Sequence, residues 1–374
     1  MGENQITPIR ILQILPGGKI TGGIEHFVMN YYENIDRSKV QFDFLFNYNE
    51  RVAFEDQIKK LGGRVYYFSV RQDGNLIKYN RQLSEFFQNH REYKVIHGHM
   101  PGLAIAYFEI AKKNGVKIRI SHAHVTQTDP TIKGYILKLI IKNIKYFSNY
   151  YCACSKLAGH FMYGNTDFKV IPNAVSTERF SFSTKKRNKL RQQLSLENKF
   201  VVGNVGRYSI QKNQLFLLDI FNEVKRVNKN AILLLIGQGN LKSEIVEKIN
   251  SLNLNKSVIL MDNKKDIENY YSLMDVLVMP SLYEGLPLTM IEAQSNGLPC
   301  VVSDAITQES RINSNVTYIS LNESLEIWAS KILAAKRIDS EQAKSNIISA
   351  GYDIKYTAVE LEHFYCNLYR MASE

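Results

Sequence analysis

The sequence predicts an α/β protein built from two Rossmann-like, doubly wound parallel sheets. Three observations predict this class: the length of the chain, the alternation of two kinds of segment, and the restart of that alternation halfway along. At 374 residues the chain is too long for one ordinary hydrophobic core and suits two. Short runs of β-branched and aromatic residues alternate with amphipathic stretches, which is typical of the strands and helices of parallel sheets.

The first half contains seven strand-like runs before the pattern breaks. The break comes at Ile-Pro-Asn-Ala, residues 171–174, and the polar segment 181–199 that follows carries no strand signal. We therefore predict a boundary between two lobes near residue 175. The predicted strands of the first lobe are 9–15, 42–46, 64–68, 94–97, 117–121, 150–154 and 169–171.

The second half contains six further runs, and it ends in an aromatic-rich tail at 356–371 with helical spacing. The apolar residues of the tail need a large surface, so we expect it to return and pack on the first lobe. The first lobe should comprise residues 1–175 with a C-terminal helix within 355–374, and the second lobe residues 176–354. The predicted strands of the second lobe are 200–205, 231–236, 257–261, 276–279, 300–303 and 316–319.

The composition indicates neither a secreted nor a membrane-spanning protein. The chain is 45% hydrophobic and 22% charged, and no apolar run approaches the roughly 18–20 residues that cross a bilayer. The N-terminus lacks the basic and apolar segments of a secretory signal. The four cysteines include no Cys-x-x-Cys pair, so buried, reduced thiols are expected. These features predict a cytoplasmic protein.

The positive charge is concentrated in the first half of the chain. Residues 1–180 carry 24 Lys and Arg against 15 Asp and Glu, which is most of the net charge of +11. Such a surface suits nucleic acid, an anionic membrane or a phosphorylated substrate, and composition alone does not choose among them. Because no nucleic-acid-binding fold or stacking motif is present, we predict no nucleic-acid partner.

Glycines stand at the ends of predicted strands in both halves. They are Gly22-Gly23 after the first strand, Gly203 and Gly206 around the first strand of the second half, and Gly237-Gln238-Gly239 after the next. Glycines there let backbone amides approach a phosphate, although they also serve as simple turn residues. Neither half has the Gly-x-Gly-x-x-Gly fingerprint of a dinucleotide dehydrogenase, and no P-loop motif occurs.

The segment from Pro280 to Ala293 reads Pro-Ser-Leu-Tyr-Glu-Gly-Leu-Pro-Leu-Thr-Met-Ile-Glu-Ala and carries Glu284 and Glu292 eight positions apart. Pro287 suits the first turn of a helix, because the N–H that it lacks has no acceptor there. Glu284 then precedes a helix and Glu292 lies on its second turn, so both carboxylates can face one ligand. The segment resembles the signature of the retaining glycosyltransferases of family four.

Further segments along most of the chain resemble motifs of that family. Ala174 and Asn213 depart from it, because each stands where the family has glycine. The similar segments are the Gly-Gly loop 22–25, the histidine-bearing strand ends 96–99 and 120–124, the linker 171–175, and the Gly206-Arg207 and Lys212-Asn213 pairs.

Breaking the bond between a sugar and a nucleoside diphosphate places growing negative charge on the leaving phosphate. Arg207 and Lys212 are the candidate donors, since a guanidinium grips two phosphate oxygens and an ammonium acts as a point charge. The amides of Gly22-Gly23 and the helix that starts near Pro287 can add neutral donors and a favourable dipole. We therefore predict no metal and no cofactor, and the sequence has no Asp-x-Asp.

The resemblance implies a GT-B fold, in which the two sheets face a deep interdomain cleft and the second lobe binds a nucleotide-sugar, here a UDP-sugar. It implies that Glu292 accepts hydrogen bonds from the ribose and that Glu284 contacts the transferred sugar. The loop Gly285-Leu286-Pro287-Leu288 belongs to the same implied substrate site. In this family the leaving phosphate itself takes the proton of the acceptor, so retention needs no protein nucleophile.

His122 and His124 end a predicted strand of the first lobe, where the resembling family carries a histidine that faces the donor sugar. Strand alternation puts both on one side, and the sequence leaves open which of them contacts the sugar. With Glu284, Arg207 and Lys212, these two histidines complete the candidate catalytic set.

Residues 131–147 are predicted to form an amphipathic helix with Ile136 and Ile144 on an apolar face and Lys138, Lys142 and Lys145 on the other. One interpretation is a helix that covers the core. The other is an interfacial helix at an anionic membrane, which suits a polyprenyl-diphosphate-linked acceptor, or another glycan, in surface polysaccharide synthesis. The second interpretation would place the protein peripherally at the inner face of the plasma membrane.

Two other functions fit the same motifs. A sugar-nucleotide epimerase of similar two-lobed shape would bind the same donor, and an epimer formed without any acceptor would identify it. A non-catalytic sugar- or phosphate-binding module would keep the phosphate-binding residues without turnover.

Overall fold

The computed structural model describes residues 7–17, 22–128 and 131–374. The chain divides into two compact units. The first runs up to Pro172 and includes the C-terminal Ile354–Glu374, and the second is Asn173–Asp353. Each unit contains one parallel sheet flanked by helices.

The first unit has a seven-stranded parallel sheet in the order β3-β2-β1-β4-β5-β6-β7. Its buried apolar strands favour the extended backbone, and each connection between neighbours is long enough for a helix. The strands are β1 (Ile9–Leu15), β2 (Val40–Phe46), β3 (Val65–Tyr67), β4 (Val95–Gly98), β5 (Ile118–Ala123), β6 (Tyr150–Ala153) and β7 (Lys169–Val170).

Helices cover this sheet, and the last of them comes from the C-terminal end of the chain. That helix packs on the first helix and on four central strands, with Leu361, Tyr365 and Leu368 buried. The helices are α1 (Gly23–Asn34), α2 (Glu55–Lys60), α3 (Val70–Asp73), α4 (Leu76–Asn89), α5 (Ala104–Lys113), α6 (Ile132–Asn143), α7 (Lys156–Tyr163) and the C-terminal α16 (Ile354–Ser373).

The second unit has a six-stranded parallel sheet in the order β10-β9-β8-β11-β12-β13. Its central strands are buried on both faces, between two groups of core residues, and the edge strand β10 is half-buried. They are β8 (Phe200–Val205), β9 (Ala231–Ile236), β10 (Val258–Met261), β11 (Val276–Met279), β12 (Cys300–Ser303) and β13 (Val316–Ile319).

Eight helices belong to the second unit. The charged segment without a strand signal contains one of them, α9. The helices are α8 (Thr177–Phe180), α9 (Thr184–Gln193), α10 (Gln214–Val227), α11 (Lys242–Ser251), α12 (Ile267–Leu273), α13 (Leu288–Ser295), α14 (Leu325–Ala334) and α15 (Ser340–Ser349).

All thirteen predicted strands are present, and the predicted two doubly wound sheets are confirmed. The order of the strands reverses between β1 and β4 in the first sheet and between β8 and β11 in the second. In doubly wound sheets ligands bind beyond the carboxyl ends of the strands at such a reversal. A ligand site is therefore expected at the loops that follow these four strands.

Candidate active site

The second sheet brings two predicted motifs side by side. β8 and β11 are adjacent parallel strands, so the loops that follow them lie at the same edge of the sheet. The loop after β8 carries Arg207 and Lys212, and the loop after β11 carries Glu284 and leads into α13. The motifs are far apart in the sequence, and the strand order makes them neighbours.

An ion pair joins the two loops. The ammonium Nζ of Lys212 lies 2.5 Å from Oε1 of Glu284, and their side chains are only 18% and 8% exposed. The stem of Lys212 crosses Gly206, with its Cε 3.4 Å from the position that a Cβ on that glycine would take. A Cβ at residue 206 would therefore make ordinary van der Waals contact with the lysine stem.

Hydrogen bonds brace the same two loops. The N–H of Leu282 donates to the carbonyl of Gln211 at 2.8 Å, and the amide of Gln211 donates to the carbonyl of Tyr283 at 3.0 Å. Asn213 has a φ of +56°, a left-handed conformation that glycine and asparagine tolerate best. Its side-chain amide donates to the carbonyl of Pro280 at 3.1 Å. Asparagine in place of glycine thus keeps the turn and adds a bond across the site.

Arg207 is exposed and lies in the same loop as Lys212, before it in the sequence. Its loop is held by the neighbouring loop after β9, because the N–H of Tyr208 donates to the carbonyl of Gln238 at 2.9 Å. A Cβ on Gly239 would lie 2.1 Å from the carbonyl oxygen of Tyr208. Close backbone packing therefore requires glycine at residue 239. The exposed guanidinium of Arg207 is available to a ligand.

The loop Gly285-Leu286-Pro287-Leu288 delivers the N-terminus of α13 to the same edge of the sheet. The carbonyl of Leu286 accepts a 2.5 Å hydrogen bond from the side-chain amide of Asn173 in the linker. The first hydrogen bond within the helix runs from Met290 to the carbonyl of Pro287 at 3.0 Å. The backbone N–H groups in the first turn of a helix have no acceptor within that helix, so the N-terminus of α13 attracts an anion.

Glu292 lies on the second turn of α13, as predicted, but it does not share a partner with Glu284. Its carboxylate accepts a 2.7 Å hydrogen bond from the hydroxyl of Tyr271. Burial raises the pKa of Glu292 above its ordinary value, and the bond from Tyr271 works against that rise. The charge of Glu284 is thus balanced by Lys212, while the partly buried carboxylate of Glu292 is hydrogen-bonded to Tyr271.

The Gly-Gly motif of the first unit lies at the start of α1. The N–H of Gly22 donates to the side chain of Glu25 at 3.0 Å, which caps the helix. A Cβ on Gly23 would meet no atom within 4 Å. The Gly22 amide, expected as a free donor for phosphate, therefore already has an acceptor, and Gly23 faces open space.

Four histidines, His97, His99, His122 and His124, form a cluster at the ends of β4 and β5. The rings of His122 and His124 stack with centroids 4.2 Å apart, and those of His97 and His99 stack at 4.4 Å. Both predicted histidines therefore lie on one side, as alternation requires. Phe27 of α1 packs edge-on against His122 and His124.

The imidazoles of this histidine cluster are neutral near pH 7. Burial lowers the pKa of His97 and of His124 to about 3, with His124 adding to the effect on His97. Burial and the neighbouring imidazoles lower the pKa of His99 and His122 well below the ordinary value. A neutral imidazole has one N–H and one lone pair, so each ring is a donor at one nitrogen and an acceptor at the other.

Three of these histidines form a group that could hold a metal ion, and it is the group of this kind within residues 7–17, 22–128 and 131–374. Ring nitrogens of His97, His99 and His122 lie within 4.8 Å of one another. The sequence does not predict this grouping, because the histidines come from two strands and have no metal-ligand spacing along the chain. The rings bond to one another, to Gln13 and to Tyr365, so hydrogen bonding satisfies both nitrogens of His97 and of His99 without an ion, whereas Nε2 of His122 has no partner among the described residues.

Sequence reasoning did not identify the partners of these side chains. Gln13 and Tyr365 bond to the histidine cluster, and Tyr271 holds Glu292. One signal was available for Gln13, a polar residue in the middle of the apolar run of β1. Tyr365 gave no such signal, because an aromatic residue on an amphipathic helix is ordinary core.

The helix predicted over 131–147 is present as α6, but the residues predicted to share its apolar face do not share one environment. Ile144 is buried, whereas Ile136 is exposed. The exposed apolar side chains recur at helical spacing, because packing against the unit buries a different stripe. They are Ile132, Tyr135, Ile136 and Leu139, with Tyr146 beyond the end of the helix. None of the described helices is long and apolar enough to cross a membrane.

Known proteins resemble this chain over most of its length. The family described as Glycosyl transferases group 1 matches residues 186–352. EpsF of Bacillus subtilis (strain 168) is 31% identical over 378 residues, which cover 98% of this chain and 97% of EpsF. The UDP-Gal:alpha-D-GlcNAc-diphosphoundecaprenol alpha-1,3-galactosyltransferase of Escherichia coli is 26% identical over 313 residues, 78% of each chain.

Among solved structures, Alr3699/HepE of Anabaena in complex with UDP-glucose is similar with a TM-score of 0.78 and 20% identity. The likeness covers 96% of this chain and 99% of that one. The predicted GT-B class, with two Rossmann-like parallel sheets, is thereby confirmed.

Proposed function

We propose a retaining, metal-independent sugar transfer from a UDP-sugar for this chain, which belongs to the group 1 glycosyltransferase family. The acceptor is a glycan or a polyprenyl-diphosphate-linked sugar in the synthesis of a surface polysaccharide. The second unit binds the nucleotide-sugar and the first binds the acceptor. UDP is favoured because UDP-glucose is the ligand of HepE and the E. coli relative is named for UDP-Gal.

The observation that carries this proposal is the concentration of cationic and amide donors where the order of the second sheet reverses. Lys212 and the exposed Arg207 follow β8, and the N-terminus of α13 follows β11. Together they offer the Arg207 guanidinium, the Lys212 ammonium that Glu284 holds in place, and a helix dipole to a diphosphate. That charge is what a divalent cation would otherwise supply to the leaving phosphate, so the reaction runs without a metal.

Each glutamate suits its proposed role. Glu292 accepts hydrogen bonds from the ribose hydroxyls, and Tyr271 holds its carboxylate in place. Glu284 contacts a hydroxyl of the transferred sugar and, through its ion pair, also positions the Lys212 ammonium. The amides of Gly285-Leu286-Pro287-Leu288 that carry an N–H approach the diphosphate. The leaving phosphate takes the acceptor proton, and His122 and His124 contact the sugar.

The proposed acceptor is supported by the exposed apolar stripe of α6 and by the positive charge of the first half of the chain. The exposed stripe that begins at Ile132 is flanked by Lys138 and Lys142, which are exposed as well. An apolar stripe between lysines suits the boundary of an anionic bilayer, where apolar side chains insert and lysines meet headgroups. The protein then works in the cytoplasm, at the inner face of the plasma membrane. The diphosphoundecaprenol-linked acceptor of the E. coli relative agrees with this location.

The test is the anomeric configuration of the product. A UDP-sugar with an α linkage, a polyprenyl-diphosphate-linked acceptor and EDTA should give an α-linked product, as read from the coupling constant of the anomeric proton. A β-linked product would refute retention. Incubation of the donor without acceptor should leave its sugar unchanged, and formation of an epimer would instead identify a sugar-nucleotide epimerase.

A further inference from the structure

Two chains of hydrogen bonds start from one pair of residues, Gln13 of β1 and Tyr365 of α16. The side-chain amide of Gln13 donates to the hydroxyl of Tyr365 at 3.1 Å. Both side chains are buried, so each of their polar atoms needs a partner. The histidine cluster supplies these partners, one chain starting from each residue.

The first chain starts at the carbonyl oxygen of the Gln13 side chain. That oxygen lies 2.8 Å from Nε2 of His99, so Nε2 carries the proton and donates it. Since His99 is neutral, its Nδ1 has the lone pair, and it accepts from Nε2 of His124 at 2.9 Å. The remaining nitrogen of His124, Nδ1, is therefore an acceptor, and it bonds to no residue in the described ranges.

The second chain starts at the hydroxyl of Tyr365. Because this oxygen accepts from Gln13, its own proton goes to Nδ1 of His97, 2.6 Å away. The proton of His97 is then on Nε2, which donates to Nδ1 of His122 at 3.1 Å. The remaining nitrogen of His122, Nε2, carries a proton and is buried without a partner among the described residues.

The two chains end in nitrogens of opposite character. If the Gln13 amide were turned round, every bond in both chains would reverse and all four protons would move from Nε2 to Nδ1. His122 would then end in a lone pair and His124 in an N–H. In either arrangement the four rings share one tautomer, and the two free nitrogens remain complementary.

We propose that Gln13 and Tyr365 are positioning residues that fix one common tautomer on the four histidines, so that His122 and His124 together offer one N–H and one lone pair to a ligand. A hydroxyl group is both a donor and an acceptor, so this pair matches the hydroxyls of a sugar. A phosphate dianion has acceptors only and leaves the lone pair unmatched. The proposal rests on the proposed function for the identity of the ligand, but the tautomers themselves do not.

The tautomers are measured by long-range 1H–15N correlation on protein labelled with 15N in the histidine rings, without ligand. Substitution of each cluster histidine by asparagine assigns the signals. The expected result is four neutral rings at pH 7 with the proton on Nε2 in all four, or on Nδ1 in all four if the amide of Gln13 is reversed. Mixed tautomers among the four rings would overturn the proposal.

Tyr365→Phe removes the link between the two chains without changing the ring. We expect His97 and His122 to lose their single tautomer, whereas His99 and His124, still held by Gln13, keep theirs. Tyr369→Phe, one turn further along α16, is the matched control, because its hydroxyl is not in the network and its substitution should change no histidine signal. Unchanged His97 and His122 signals in Tyr365→Phe would contradict the role of the tyrosine.

Kinetics separate this proposal from the proposed function. With the sugar donor, Tyr365→Phe should lower kcat/KM about tenfold, the effect of one weakened hydrogen bond, while the Kd of free UDP stays unchanged. An equal loss of free UDP binding would indicate general damage and would refute a positioning role. The predicted tautomers together with no transfer from any sugar nucleotide would refute the proposed function and leave the tautomer assignment standing.

Discussion

The ammonium of Lys212 lies 2.5 Å from the carboxylate of Glu284, although 72 residues separate them in the sequence. Both side chains are largely buried, and the pair bridges the loops after β8 and β11. Glu284 therefore orients the lysine in the absence of a ligand. The favourable geometry is present in the free protein, so little ordering of the lysine remains to be done on binding.

Replacement of Lys212 should lower the stability of the protein by more than the loss of its charge alone would. Lys212→Met removes the ammonium that faces the buried Glu284 carboxylate, and we expect it to lower the free energy of unfolding by roughly 3 kcal/mol. Lys212→Met with Glu284→Gln should recover much of that stability, since no buried charge remains. Urea denaturation measures both variants.

Lys248→Met is the matched control, because Lys248 pairs with Asp219 at 2.6 Å with both side chains more exposed. Its cost should be at most about 1 kcal/mol. Equal costs for Lys212→Met and Lys248→Met would show that the Lys212 pair is an ordinary surface ion pair.

Glu292 should make two properties depend on pH in opposite directions. Its pKa is raised in the folded protein, so the folded state holds a proton that the unfolded state has lost. Stability should therefore fall as the pH rises from the ordinary glutamate value through the raised one. Nucleotide binding should improve over the same interval, because the ionised carboxylate is the stronger acceptor.

Unfolding in urea and calorimetric titration with UDP, from about pH 4 to about pH 7, measure both trends. Glu292→Gln should remove both and should weaken UDP binding, while Glu284→Ala should mainly slow sugar transfer. Equal, small effects of Glu292→Gln and Glu284→Ala on UDP binding and on transfer would make the motif incidental.

Asn213 should matter for activity as well as for stability. Asn213→Ala places alanine at a φ of +56° and removes the bond to the Pro280 carbonyl, for a total cost of about 2 kcal/mol. Because that bond joins the two site loops, kcat/KM should fall too. Asn253→Ala meets similar strain, at a φ of +55°, far from these loops in the sequence, and should cost only about 1 kcal/mol with unchanged activity.

Thermal unfolding and steady-state kinetics of Asn213→Ala and Asn253→Ala test this prediction. Equal activity losses in the two variants would mean that left-handed strain alone, rather than the bracing of the loops, reduces the rate.

Sequence reasoning predicted what depends on local pattern. The strands followed from β-branched runs, and Glu284, Glu292 and Lys212 followed from motifs with fixed spacing. It did not predict contacts between distant segments, such as the bond between Gln13 and Tyr365, which are 352 residues apart. Periodicity along one helix cannot specify which stripe the rest of the protein covers, so the sequence did not decide that Ile136 is exposed while Ile144 is buried.

The exposed stripe of α6 should bind anionic vesicles. We expect the protein to sediment with phosphatidylglycerol vesicles and less with phosphatidylcholine vesicles, since the lysines need anionic headgroups. Replacement of Ile132, Tyr135 and Leu139 by serine should abolish sedimentation. The control replaces Tyr356 and Val359 of α16, which are also exposed, and should sediment like the unmodified protein. Sedimentation that survives the triple replacement would refute the assignment of this face.

Binding of the sugar-nucleotide donor in the presence of a chelator tests whether the second unit holds the diphosphate without a metal ion. Calorimetric titration with a panel of UDP-, GDP- and ADP-sugars in excess EDTA should show saturable binding of a UDP-sugar. Arg207→Ala should weaken that binding by roughly 10- to 100-fold, the value of a charged hydrogen bond to phosphate. If no sugar nucleotide binds without Mn²⁺ or Mg²⁺, or if Arg207→Ala binds the donor as tightly as the unmodified protein, then Arg207 and Lys212 do not replace a metal ion at the diphosphate.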